Sequence, residues 1–208
     1  MSITNYSELQ TAIANWLDRD DLTDRIPEFI RLAEARINRS LKVRGMEDRS
    51  TTPLVSGQAY YSLPTDFLYA RNVQINTSPV TVLYYRTPQQ LDVEYPSSNT
   101  GNPKVYTIIG DEMQLAPVPD STDTLEIAYY AKPAQLTASN TTNWLTNNAP
   151  DLLLYGSLME AEAYLVNDNR VPGWKDAFYL AVDEWNSLDK RGRHSGSVLV
   201  IRSDTGNY

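Results

Sequence analysis

The acidic side chains are the first candidates for chemistry in this sequence, because a catalytic pair or a metal site needs carboxylates that converge. Glu160 and Glu162 are two residues apart in a predicted helix, so they point to different sides of it and cannot work as a pair. Asp111 and Glu112 stand at the predicted tip of a hairpin, where water surrounds them. The acidic run at 18–21 lacks the glycine and the distant glutamate of a calcium-binding loop. The sequence therefore predicts neither a catalytic pair of acids nor a metal site.

The sequence also shows no recognisable nucleophile constellation and no phosphate-binding loop. The chain has no cysteine, which excludes disulfides, thiolate metal sites and cysteine nucleophiles. Its single histidine, His194, follows Arg191 and Arg193 and has no recognisable serine or aspartate partner. Glycine-rich loops of the dinucleotide-binding or P-loop type are absent from the sequence. We therefore predict a protein that is not an enzyme and that takes no cofactor.

The charge balance limits the possible partners. The 208 residues include 18 Lys and Arg against 26 Asp and Glu, which gives a formal net charge of -8 and a pI of about 4.7. A protein that coats nucleic acid by neutralising phosphates would be basic, so that class is excluded. No apolar run approaches the roughly 18 residues that a membrane span needs, and the N-terminus lacks the pattern of a secretory signal. We expect no membrane association.

Tyrosine is unusually frequent, with 14 Tyr against 3 Phe. The pairs Tyr60-Tyr61, Tyr84-Tyr85 and Tyr129-Tyr130 lie in predicted strands, where successive side chains point to opposite faces. One ring of each pair is therefore expected in the core and the other at the surface or in a subunit contact. An aromatic platform for carbohydrate, or for stacked bases, is the alternative interpretation.

Helical periodicity appears only towards the two ends of the chain. Apolar residues recur at helical spacing over 5–19 and again from about residue 24 to 41, and the short link between the two helices predicts an antiparallel hairpin. Two further helices are predicted from Pro150 and from Pro172, the second ending at Gly192. Neither pair can hide its own apolar stripe, so both pairs must pack together as an antiparallel helical bundle.

The middle of the chain, residues 48–147, is rich in short β-prone runs separated by turn signals, which predicts an antiparallel sandwich or a small barrel. The protein is thus predicted to be α+β, with a β domain inserted into a helical one. The predicted domains are 1–47 and 148–192 for the two halves of the bundle, 48–147 for the β domain and 193–208 for a flexible arm. The predicted strands are Ala59–Leu63, Ala70–Ile75, Val80–Tyr85, Val105–Ile109, Met113–Ala116 and Leu125–Tyr130.

The order of turn and strand signatures over residues 1–190 resembles the head–tail adaptor proteins of tailed bacteriophages, and is similar to the adaptor or tail tubular proteins of short-tailed phages. No single signature is catalytic, and the family has no catalytic residues to transfer. The stretches that carry the resemblance are 63–68 with 71–73, 101–106, the Gly110-Asp111 hairpin, 115–119, 125–130, and 143–145 leading into 149–155.

The resemblance implies a structural protein of the virion, located at the head–tail interface and in the host cytoplasm during assembly. It implies a ring, commonly a dodecamer, that binds the portal protein on one side and tail or nozzle proteins on the other. Genomic DNA would pass through the lumen without sequence-specific binding, and an acidic wall would let it slide. A module that binds carbohydrate or a host receptor is the alternative.

A head-to-tail ring needs two different complementary surfaces on each subunit. The basic second helix and the acidic third and fourth helices are candidates for these surfaces. As alternatives, the arginines form a solvated helix face that pairs with neighbouring acids, or they contact an acidic partner or passing DNA. The predicted contacts between subunits are Arg31, Arg36, Arg39, Glu160, Glu162, Asp183 and Glu184.

One apolar run interrupts the polar C-terminal arm. It consists of Val198, Leu199, Val200 and Ile201, all of which favour β-structure. We expect this run to order on the portal by adding a strand to an exposed sheet edge, with a disordered tail as the alternative.

Overall fold

The computed structural model describes residues 3–96, 99–165 and 168–194. The chain divides into two compact units, one made of residues 1–44 with 135–208 and one made of residues 45–134. The described residues form six α-helices and two four-stranded sheets, so the predicted α+β class is confirmed. We call the two parts the helical unit and the β unit.

The helical unit contains five of these helices. α1 begins where the Asn5 side chain accepts a hydrogen bond from the Glu8 backbone N–H, and it ends at Asp18 in a left-handed conformation. α6 continues to His194, two residues beyond the end predicted at Gly192. The bounds are α1 Tyr6–Leu17, α2 Ile26–Ser40, α4 Trp144–Asn148, α5 Pro150–Glu160 and α6 Val171–His194; α3, Pro88–Glu94, belongs to the β unit.

α5 is the central helix of the helical unit. It is apolar on every side and packs against α1, α2, α4 and α6. Gly156 permits the closest approach, because a Cβ added there would stand 3.1 Å from the Ala33 Cβ and 3.2 Å from the Phe178 Cε2. Helices from both ends of the chain therefore contact α5.

Residues 135–147 also belong to the helical unit, although the sequence assigned them to the β domain. The backbone N–H of Leu136 donates to Glu34 Oε1 on α2, and the N–H of Tyr6 donates to the Thr141 carbonyl. Polar side chains and turn residues make this stretch look like part of the β region, while its bonds go to helices. The predicted limits 1–47, 48–147, 148–192 and 193–208 otherwise stay predictions.

The β unit consists of two sheets that share one apolar core, the arrangement of a sandwich, and the described residues form no closed barrel. One sheet has the order β1-β8-β3-β4 and the other has the order β2-β7-β6-β5. Neighbouring strands are antiparallel except β5 and β6. The strands are β1 Glu47–Pro53, β2 Tyr60–Ser62, β3 Phe67–Ile75, β4 Thr81–Val82, β5 Tyr84–Tyr85, β6 Val105–Ile109, β7 Glu112–Ala116 and β8 Thr124–Ala131.

The expectation that one ring of each tyrosine pair is buried fails at one pair. Tyr61 and Tyr129 are buried and Tyr60 is exposed, as expected, but Tyr84 and Tyr85 are 65% and 52% exposed. The predicted strand Val80–Tyr85 splits into β4 and β5, which belong to different sheets. Because the chain changes sheets at Leu83, strict alternation of faces does not continue through the pair.

Candidate interaction surfaces

In the part of the chain that the structure describes, no three His, Asp or Glu side chains lie close enough together to hold a metal ion. None of the described helices combines the length and the apolar character that crossing a membrane requires. The exposed charged residues of α2 and α6 are the candidate surfaces for binding other proteins.

Three of the seven predicted contact residues are engaged within the chain. Arg36 Nε on α2 pairs with Glu160 Oε1 at the end of α5 at 2.5 Å, and this hydrogen bond raises the pKa of the guanidinium. Lys175 Nζ on α6 pairs with Glu162 Oε2 at 2.6 Å. Both pairs lie within one subunit, and the pair of Arg36 with Glu160 corresponds to the alternative in which arginines pair with neighbouring acids.

Two of the predicted arginines have no ionic or hydrogen-bonding partner among the residues that the structure describes. Arg31 and Arg39 are exposed on α2, and neither forms a hydrogen bond or an ion pair with any described residue. Leu32 and Ala35 are exposed on the same side of the helix. We call this set, Arg31, Leu32, Ala35 and Arg39, the α2 face.

The predicted acids of α6 are exposed in a similar way. Asp183 and Glu184 have no ionic or hydrogen-bonding partner among the described residues, and the same holds for Asp176. Leu180 and Leu188, 60% and 61% exposed, lie between or beside these acids. We call this set, Asp176, Leu180, Asp183, Glu184 and Leu188, the α6 face.

The predicted portal-binding residues Val198, Leu199, Val200 and Ile201 lie outside the described residues. Their role stays a prediction.

The β unit has one pocket that suits an uncharged ligand. Its volume is about 520 Å³, and its wall includes Tyr60, Tyr95, Asn99 and Gln114 and no charged side chain. Tyr60 and Gln114 are direct partners in the pairing of β2 with β7. A carbohydrate-binding module would place its ligand in such a pocket.

One buried acid was missed by the sequence analysis. The Glu34 side chain on α2 is 7% exposed, and burial raises its pKa to about 7, although the hydrogen bond from the Leu136 N–H acts in the opposite direction. Among the described residues, the Glu34 side chain forms one hydrogen bond, which it accepts from that N–H at 2.9 Å. The available signal was its position: Glu34 follows Ala33 and stands four residues after Ile30, within the apolar stripe of α2.

The described residues thus present two exposed charged helix faces and a sandwich with surface tyrosines, all of which are accessible to other proteins. The profile of the SU10 adaptor protein family matches residues 4–201, which is nearly the whole chain. Among curated proteins, none matches significantly. The chain belongs to the SU10 adaptor protein family.

Family membership confirms the resemblance to phage head–tail adaptors. It identifies a structural adaptor protein of a bacteriophage and implies a place in the virion at the head–tail interface. The family is generally non-enzymatic. Membership therefore favours the adaptor over a carbohydrate- or receptor-binding module.

Proposed function

We propose that this protein is a ring-forming subunit that binds beneath the portal, extends the DNA channel and provides the platform on which tail proteins assemble. The family match over residues 4–201 carries the proposal, because it spans the helical unit and the β unit together. The work of such a protein is geometric: it holds other proteins in register and turns over no substrate.

The framework of each subunit is a helical bundle that both ends of the chain complete. The packing of α5 against α2 and against α6 supports this arrangement, as does the close approach of Ala33 and Phe178 at Gly156. Helices from both halves of the described chain are thereby held together in the helical unit.

Each subunit uses two different surfaces to contact its neighbours, so the ring closes head to tail. The expected number of copies is twelve. The proposed contacts come from the seven predicted residues, of which Arg31, Arg39, Asp183 and Glu184 have no partner within the described chain. The net charge of -8 suits a lumen along which DNA slides, since a cationic wall would bind phosphates.

The C-terminal arm provides the contact with the portal. Deleting residues 195–208 is expected to leave the two units folded and to abolish binding to the portal ring, because the β-prone run 198–201 is removed. A pull-down with purified portal measures the loss, and circular dichroism checks the fold. A deletion of residues 202–208, which keeps the run, is the control and is expected to bind. Full portal binding by the longer deletion would refute the role of the arm.

A further inference from the structure

The α2 face and the α6 face match each other in spacing and charge. On α2, Arg31 and Arg39 stand four residues before and after Ala35. On α6, Asp176 and Glu184 stand four residues before and after Leu180. Four residues correspond to about one helical turn, or 6 Å, so each face has two like charges about 12 Å apart along its helix.

The centres of the two faces also differ in size. Leu180 on α6 is 60% exposed, whereas the exposed residue between the two arginines of α2 is a small alanine, Ala35, which leaves room for a larger side chain. Leu32, 44% exposed, extends the apolar area beside Ala35. An exposed leucine that enters such a site, with an ion pair on either side, has the form of an interface centre with a charged rim.

Both faces point away from the core of their own subunit. Ala33 and Phe178 meet Gly156 of α5. At about 100° per residue, Arg31 and Ala35 lie about 160° around α2 from Ala33, and Asp176 and Leu180 lie about 160° around α6 from Phe178. Among the described residues, Arg31, Arg39, Asp176 and Glu184 have no ionic or hydrogen-bonding partner, so no described side chain neutralises the charges of these faces.

We infer that the α6 face of one subunit packs on the α2 face of the next, with Leu180 over Ala35 and with Asp176 and Glu184 paired to Arg31 and Arg39. The partner is a second copy of this chain. The contact is heterologous, since it joins two different faces, and a heterologous contact forms a ring when the rotation from one subunit to the next closes. Asp183, adjacent to Glu184, adds to the attraction that orients the approaching subunit. This inference rests on the proposed function and specifies the contact that closes the ring.

A charge exchange tests the contact. The first variant, Arg31→Glu with Arg39→Glu, reverses the α2 face, and the second, Asp176→Lys with Glu184→Lys, reverses the α6 face. Each variant alone places like charges opposite each other at every contact and is expected to lose ring assembly on the portal. An equimolar mixture of the two is expected to regain it, because subunits that alternate around the ring restore opposite charges at each contact.

Electron microscopy of portal mixed with each preparation counts the portals that carry a ring. Circular dichroism and tryptophan fluorescence establish that each variant is folded. The inference is overturned if either variant alone forms rings, or if the mixture assembles no better than its components. In both cases, rings formed by the wild-type protein would leave the proposed function intact. If the wild-type protein itself makes no ring with the portal, the proposed function fails instead.

Discussion

Valine in place of Gly156 is expected to lower the free energy of unfolding of the helical unit by about 3 kcal/mol, the upper part of the usual cost of overpacking a core. Even a single added Cβ would stand 3.1 Å from the Ala33 Cβ and 3.2 Å from the Phe178 ring, and valine adds two more methyl groups. The neighbours belong to α2 and α6, so relief requires moving a helix rather than rotating a flexible side chain.

Tryptophan fluorescence during urea unfolding measures this effect selectively. The chain has four tryptophans, Trp16, Trp144, Trp174 and Trp185, and all of them lie in the helical unit. Gly173→Val is the matched control, because a Cβ at Gly173 on α6 would meet no heavy atom within 4 Å. We expect the control to stay within about 0.5 kcal/mol of the wild type. Equal stability of the two variants would contradict the packing described around Gly156.

Glu34→Gln is expected to change how the stability of the helical unit depends on pH. Burial raises the pKa of Glu34 from 4.5 to about 7, so the unfolded chain releases this proton at a lower pH than the folded one. The favourable contribution of the protonated group is complete below pH 4.5 and is lost as pH rises through 7. The full difference corresponds to about 3 kcal/mol.

The substitution removes the ionisation but keeps an oxygen that accepts the hydrogen bond from the Leu136 N–H. Between pH 5.5 and pH 8.5, both above the pI of about 4.7, the stability of the variant relative to the wild type should rise by about 2 kcal/mol. Urea unfolding at the two pH values, followed by tryptophan fluorescence, measures this difference. Comparing the change with pH, rather than the stability at one pH, cancels any fixed cost of burying the amide.

Glu28→Gln provides the control for the pH experiment. Glu28 lies on the same helix, is exposed, and pairs with Arg25 at 3.6 Å, so its charge stays in water in both states. The stability of the Glu28→Gln variant relative to the wild type should not change between the two pH values. A flat difference for Glu34→Gln as well would contradict the burial of this carboxyl group.

The helices were predictable because their stripes are regular, and the errors occur where tertiary contacts replace a local signal. β1 was missed, because its residues Glu47–Pro53 are mostly polar and it is held by pairing with β8. α4, Trp144–Asn148, was missed because it is only five residues long. Local patterns do not contain the information that fixes such elements, since the partner strand or helix is distant in sequence.

The contact residues show the same limit. Sequence alone placed Arg36 and Glu160 among the charges of two possible contact surfaces, and it could not indicate that they meet each other across α2 and α5. Arg36 and Glu160 lie about one turn beyond the contact of Ala33 with Gly156, so the packing of α2 on α5 brings them together. The periodicity of a single helix does not contain this information. The resemblance to phage adaptors can be detected in the sequence alone, because it depends on the order of turns and strands along the chain. The family match confirms it.

The central claim is that this chain assembles as a ring on the portal, and cryo-electron microscopy of the two purified proteins mixed together tests it most directly. We expect a ring of this protein at one end of the portal, coaxial with it, with an open channel that runs through both rings. Portal particles that remain bare at saturating concentrations of the folded protein would contradict it.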